Sequence, residues 1–178
     1  MEQEWMPFII SIKTALTATM ITFFLGIFAA NKINKINPKH KGILDSLFTL
    51  PMVLPPTVIG FFLLVILGRN GFIGKLLYSI GINVIFSWGA TVIAAVVVSF
   101  PLMYSTAKGA FEQIDKNILN AAQTMGVSNF KIFWKIMIPL AWPGIAAGTI
   151  LSFARALGEF GATLMIAGNI PGKTQTIP

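Results

Sequence analysis

The sequence predicts an all-α integral membrane protein with four membrane-spanning helices, and three observations predict it. Of the 178 residues, 55% are hydrophobic and only 11% are charged, where a soluble domain carries about 25% charged residues. Four apolar stretches each approach or exceed the roughly 20 residues needed to cross a hydrocarbon core about 30 Å thick. Most lysines gather in two loops between those stretches, the pattern that basic loops give on the cytoplasmic side of a membrane.

The first stretch, Phe8–Ala30, is long for the apolar part of a signal peptide and follows Glu2 and Glu4 rather than a basic segment, so it reads as a retained span. Lys13, near its start, has a stem long enough to snorkel to the interface. The second, Ser46–Leu67, carries no charged side chain but holds Pro51, Pro55 and Pro56. The third is Val84–Ala107. The fourth starts at Ile136, meets its first charge at Arg155 and extends to Ala167.

Lysine counts orient these spans. One loop holds Lys32, Lys35, Lys39 and Lys41, and the loop 108–135 holds Lys108, Lys116, Lys131 and Lys135; the other side holds Arg69, Lys75 and Lys173. Eight against three places both basic loops in the cytoplasm and the N-terminus outside. The chain stops at Pro178 in mid-segment, and the expectation is a fragment of a longer protein.

Proline breaks a helix at a cost of about 3 kcal/mol. Broken spans are tolerated where the freed backbone faces protein or a water-filled cavity, and transport proteins use such breaks to bind ions. A half-helix starting at Pro56 is expected to present the N–H groups of Thr57, Val58 and Ile59 at a positive dipole end that favours an anion. Pro51, Pro55, Pro56, Thr57 and Gly60 are therefore candidates for a pathway lining or a hinge. The plainer reading is a packing kink, with Gly60 permitting close approach.

The loop 108–135 reads as helix, tight turn, helix. Ile114, Ile118, Ala121, Ala122 and Met125 recur at helical spacing. Gly126 fits a C-terminal cap, Ser128 fits the next N-cap, and Val127 with Ile132 fits a hydrophobic staple. A DNA-binding helix-turn-helix is excluded because the second helix, NFKIFWKIMI, is apolar where base edges demand polar side chains. AGNIPGKT, at 167–174, loosely fits a phosphate-binding loop, but such a loop follows a strand and opens a helix, whereas this one follows a span. With no cysteine and only His40 as histidine, the chain offers no thiolate, no metal-ligand cluster and no catalytic set. No cofactor, metal, nucleic-acid partner or enzymatic activity is expected.

From Asn120 the spacing Asn-Ala-Ala, three residues, Gly126, nine residues, Ile136, one residue, Ile138, Pro139 resembles the EAA loop of ABC-importer permeases. Asn120 stands where that family has Glu, and Ile138 where it has Leu. LPMVLPPTVIGFFLLVILGRNGFIGKLL, FSWGATVIAAVVVSFPLM and SFARALGEFGATLMIAGNIPGKTQTIP are similar to bacterial molybdate permeases over nearly the whole chain. The resemblance implies the type I importer fold, with at least five spans in the complete protein. It implies a multi-pass subunit in the cytoplasmic membrane, in contact with lipid, that moves molybdate or tungstate. A second permease copy, two ABC ATPase subunits and an extracytoplasmic oxyanion-binding protein would be its partners. Asn120, Ala121, Ala122, Gly126, Ile136 and Pro139 would lie in the loop that docks on the ATPase. A sulfate permease, and a secondary transporter without an ATPase, are the alternatives.

Arg155 and Glu159 are four apart in the fourth stretch and are expected to pair on one helix face. Charges inside a membrane face a cavity or a partner, so the pair belongs either to a pathway or interface, or to the internal structure. Gly144 and Gly148, one turn apart, predict close helix packing.

Overall fold

A computed structural model describes residues 2–34 and 36–177. Lys35 and Pro178, used above for the lysine count and the chain end, lie outside the described residues, as do the side chains of Glu2 and Glu4. The described residues form helices and connecting turns, with no strand among them.

Three long helices pack on one another: α1 (Glu2–Ile33), α5 (Trp88–Glu112) and α8 (Ile138–Leu157). Glycine sets two of the close approaches. A Cβ on Gly26 of α1 would lie 2.7 Å from Met103 of α5. One on Gly144 would lie 2.6 Å from Ala110, and one on Gly148 only 2.1 Å from the Thr106 hydroxyl. The small-residue pair therefore seats α8 on α5 within this chain. Some buried hydroxyls bond to the backbone one turn back without unwinding the helices: Ser99 donates to the Ala95 carbonyl at 2.6 Å and Thr19 to Ala15 at 2.7 Å.

Among the described residues, three helical segments suffice by length and composition to cross a membrane: Trp5–Ile33, Trp88–Glu112 and Asn129–Leu157. The second apolar stretch is different. It divides into α2 (Pro38–Val53) and α3 (Pro56–Leu67), bent by 113°. The cause is local. Leu54 and Pro55 each precede a proline, which disfavours the α conformation at both. Leu54 takes φ −73°, ψ 142° and Pro55 takes φ −56°, ψ 137°, two extended residues in succession. At 12 residues, α3 is about 18 Å long, too short to cross alone.

The fourth stretch is not one helix over 136–167 either. It starts earlier, at α7 (Asn129–Ile132), runs through a π-helical turn (Phe133–Met137) into α8, and ends at Leu157. After a break at 158–160, α9 (Gly161–Ala167) packs against α3, and both lean on α5. Between α3 and α5 lies the short α4 (Phe72–Ser79); between α5 and α7 lies α6 (Lys116–Thr124).

The two ends of these helices carry different polar groups. Asn31, Asn34, Lys41, Glu112 and Lys116 line one cavity of about 450 Å³ at the end where α1 and α5 finish. At the opposite end Thr14 of α1 meets Thr91 of α5 at 3.3 Å, the Trp88 indole donates to Thr14 at 3.0 Å, and the Lys13 ammonium lies 4.5 Å from the Trp88 ring centre. Lys13, expected to snorkel, thus reaches an aromatic face.

Candidate functional site: the hairpin at the basic end and the proline elbow

The hairpin is built by its turn. Asp115 caps α6, its carboxylate accepting from the Asn117 N–H at 2.8 Å. At the other end Gly126 takes φ +76°, a conformation that costs other residues about 1–2 kcal/mol. It donates to the Gln123 carbonyl at 2.9 Å while Val127 donates to Ala122 at 3.1 Å, the paired bonds of a Schellman cap. Ser128 occupies the N-cap position of α7, but no side-chain bond caps the helix; its carbonyl accepts from Ile132 at 3.0 Å. Val127 and Ile132 both join the core that also holds Ala122, Phe111 and Phe133.

The helical face expected for Ile114, Ile118, Ala121, Ala122 and Met125 divides in two. Ile114 precedes α6 and is buried; within α6 only Ala122 is buried, beside half-buried Leu119. Ile118, Ala121 and Met125 point outward, Met125 with 82% of its surface exposed. Asn120 and Gln123 flank that apolar strip. Inward residues thus hold the hairpin on its bundle, and the outward ones are exposed.

Ile136 lies within the π-turn and Pro139 follows it in α8. Ile138 donates to Phe133, five residues back. Pro139 has no N–H, so the bond that ordinary α register would direct to Lys135 does not exist to be lost.

At the elbow the three expected free N–H groups are not all free. Val58 and Ile59 both donate to the Pro55 carbonyl, at 2.9 and 3.2 Å. Thr57 stands exposed beside Pro56, and Pro51 lies in the last turn of α2. Gly60 is buried where α3 crosses α9: a Cβ there would come within 2.7 Å of the Met165 side chain and 2.8 Å of the Ala162 backbone. A Cβ on Gly161 would meet Pro56 at 3.1 Å, so the starts of α3 and α9 touch.

Arg155 and Glu159 do pair, at 2.7 Å, but not along one helix. Glu159 lies in the break after α8, 3% exposed, and its second oxygen accepts from the Ala162 N–H at 2.6 Å. A carboxylate of the chain itself thus occupies the positive end of α9. The phosphate-loop look-alike is an irregular turn after α9, tied by the Thr174 hydroxyl, which donates to Ala167 at 3.0 Å.

A cluster of charges at the basic end escaped the sequence reading. Lys108 of α5 pairs with Asp45 of α2 at 2.5 Å, and Lys41 of α2 with Glu112 of α5 at 2.7 Å; Lys108 also lies 3.8 Å from Glu112. The buried Tyr104 hydroxyl donates to Asp45 as well. The available signal was placement: Asp45 is the last charge before one apolar stretch and Lys108 the first after another, with opposite sign. No group of three or more metal-binding side chains occurs among the described residues.

Residues 22–177 fit the family described as binding-protein-dependent transport system inner membrane component. The chain belongs to this family. It is 50% identical over 173 residues to YvgM of Bacillus subtilis (strain 168), which bears the name of a molybdenum transport system permease protein, covering 97% of this chain and 76% of that one. It is 46% identical over 178 residues to the molybdenum transport system permease protein ModB of Escherichia coli (strain K12), covering 99% and 78%. To cysT of Chlorokybus atmophyticus, named for a sulfate transport system permease, it is 36% identical over 171 residues, covering 96% and 60%. Family members are inner membrane transport components rather than enzymes, and their transport depends on a binding protein.

Proposed function

We propose that this chain is the permease of an ATP-driven importer that carries molybdate or tungstate inward across the cytoplasmic membrane. The observation that carries the reading is the identity of 46% over 178 residues with a molybdenum permease, which spans hairpin, elbow and the α8–α9 break together. The N-terminus lies outside and the lysine-rich end inside, as the loop charges favour. Two copies of the chain enclose the pathway, two ATPase subunits sit beneath them, and a binding protein delivers the oxyanion from outside.

In this reading α6 is the docking element. Ile118, Ala121 and Met125 enter a groove on the ATPase, and Asn120 at the helix surface takes the place of the family's Glu. Ala122, Gly126, Ile136 and Pro139 hold the shape that presents them. The elbow at Leu54–Pro55 is a hinge: two successive pre-proline residues are extended there and disfavour helix, so bending concentrates there. The Arg155–Glu159 pair fixes the α8–α9 break, since its carboxylate is already committed to a cation and a backbone N–H.

The test is ATP hydrolysis by the permease reconstituted with its ATPase, with binding protein loaded with molybdate, tungstate or sulfate. Stimulation by molybdate or tungstate is expected. Stimulation by sulfate alone would transfer the assignment to the sulfate branch that cysT represents. Failure of the ATPase to bind would return the chain to ATP-independent transport.

A further inference from the structure

We infer that Asp45, Lys108, Glu112 and Lys41 form a strut that carries movement of the docking hairpin to the proline elbow. They are positioning residues and touch no substrate. The inference rests on the import reading above and adds the route by which that import is coupled.

Three features of the cluster support it. The first is its attachment to the hairpin. Glu112 is the last residue of α5, and only Gln113 and Ile114 separate it from Asp115, the cap of α6. Ile114 is buried in the core beside Phe111 and Ile132, so the link has no slack. A push on α6 therefore enters the last turn of α5, where Lys108 and Glu112 stand one turn apart.

The second is its attachment to the elbow. Lys41 and Asp45 stand one turn apart in the first half of α2, whose other end is the elbow. An α-helix of 16 residues is a rod about 24 Å long. Displacement at Asp45 is thus delivered at Leu54.

The third is that α2 is held to the bundle almost entirely by α5, with only slight contact to α1. That contact is compact: Phe48 packs edge-on to Phe100 and Tyr104, with ring centres 5.5 and 5.2 Å away, and the four charges lie beside it. Exposed ion pairs contribute little to stability, and Glu112 is exposed, but Lys108, Asp45 and Lys41 are partly covered, at 19%, 25% and 29% exposure. Tyr104 adds a buried donor to the same carboxylate. Such networks fix one relative placement of two helices. Lys41 also donates to Asn34 at 3.2 Å, tying the end of α1 to the same point.

The experiment uses the assembled transporter, permease with ATPase and loaded binding protein. Asp45→Asn keeps the shape and removes the charge. The expected result is an intact complex with unchanged ATP hydrolysis in the absence of binding protein, and stimulation by loaded binding protein reduced about tenfold, within the range of coupling between distant sites. The exchanged pair Asp45→Lys with Lys108→Asp is expected to regain stimulation, which a role in folding alone does not require. If Asp45→Asn does not assemble, the exchanged pair decides: assembly regained with stimulation supports the strut, and assembly regained without it overturns the strut. Full stimulation in Asp45→Asn overturns the strut alone. An unsubstituted transporter that ignores every loaded binding protein overturns the import reading, and the strut with it.

Discussion

The Glu159 carboxylate holds Arg155 at 2.7 Å across the point where α8 ends, while its other oxygen accepts from the first turn of α9. One side chain thus serves as ion-pair partner and helix cap together. Glu159→Gln keeps an acceptor for the Ala162 N–H, whereas Glu159→Ala keeps nothing. We expect Glu159→Ala to lower stability by about 1–3 kcal/mol, the cost of leaving a buried donor unpaired, and Glu159→Gln to cost less. Thermal unfolding in detergent checks the order. Equal losses would show that the charge matters and the cap does not.

Ala121 and Ala122 adjoin in sequence but separate cleanly in space, one exposed on α6 and one buried beneath it. Ala121→Arg is expected to abolish ATPase binding at unchanged thermal stability. Ala122→Arg is expected to destabilise the hairpin, by about 1–3 kcal/mol or more for overpacking. Co-purification with the ATPase, measured beside unfolding temperature, separates the two. Loss of stability in Ala121→Arg would place that residue inside the fold instead.

Gly126 has open space where a side chain would go, so its constraint is conformational only. Gly126→Asn is expected to be tolerated, because asparagine enters this backbone region readily. Gly126→Val, branched and stiff, is expected to weaken ATPase binding by at least the 1–2 kcal/mol of strain. A titration of ATPase against each variant reads the difference; a Val variant that binds like the parent would mean the turn has another shape in the complex.

The three long helices and the hairpin were legible in the sequence because their signals are local. Apolar length marks the helices, and a glycine followed by a capping residue marks the turn. The elbow was legible as a break, since Pro55 and Pro56 act on their own neighbours, but its angle was not. The second break left no such mark: no proline stands in 157–161, and the α8–α9 bend rests on Glu159 reaching back to Arg155. The Asp45–Lys108 pair was harder to read because its partners lie 63 positions apart, and only their placement at the ends of two apolar stretches hints at it. Counting lysines for orientation treated Lys41 and Lys108 as loop charges facing water, when both are engaged across a helix contact.

Gly60 tests the elbow from its far side. Its absent Cβ leaves room for the Ala162 backbone, which has no side-chain freedom with which to yield. Gly60→Ala is expected to cost about 1–3 kcal/mol and to slow transport by spreading α3 from α9.

Pro56→Ala frees Pro55 to become helical and is expected to slow uptake at nearly unchanged stability. Oxyanion uptake by proteoliposomes checks this, with Thr57→Val beside it. If both variants transport at the parent rate, neither a pathway nor a hinge at this elbow survives.

The π-turn at Phe133–Met137 acts as an indexing device. Each residue of an α-helix advances the chain by about 100° and 1.5 Å. Five residues here occupy a turn that nearly four would fill, so α7 and α8 stay in rotational phase despite one extra residue. Were that turn to relax to ordinary register with every residue kept, Asn129–Ile132 would swing by about 100° about the helix axis. The hairpin it carries would then face a different side of the bundle. Pro139, by supplying no N–H to Lys135, removes part of the reward for that relaxation. The azimuth at which this chain offers α6 is thus set by arithmetic in the backbone, in the five residues that lead into α8.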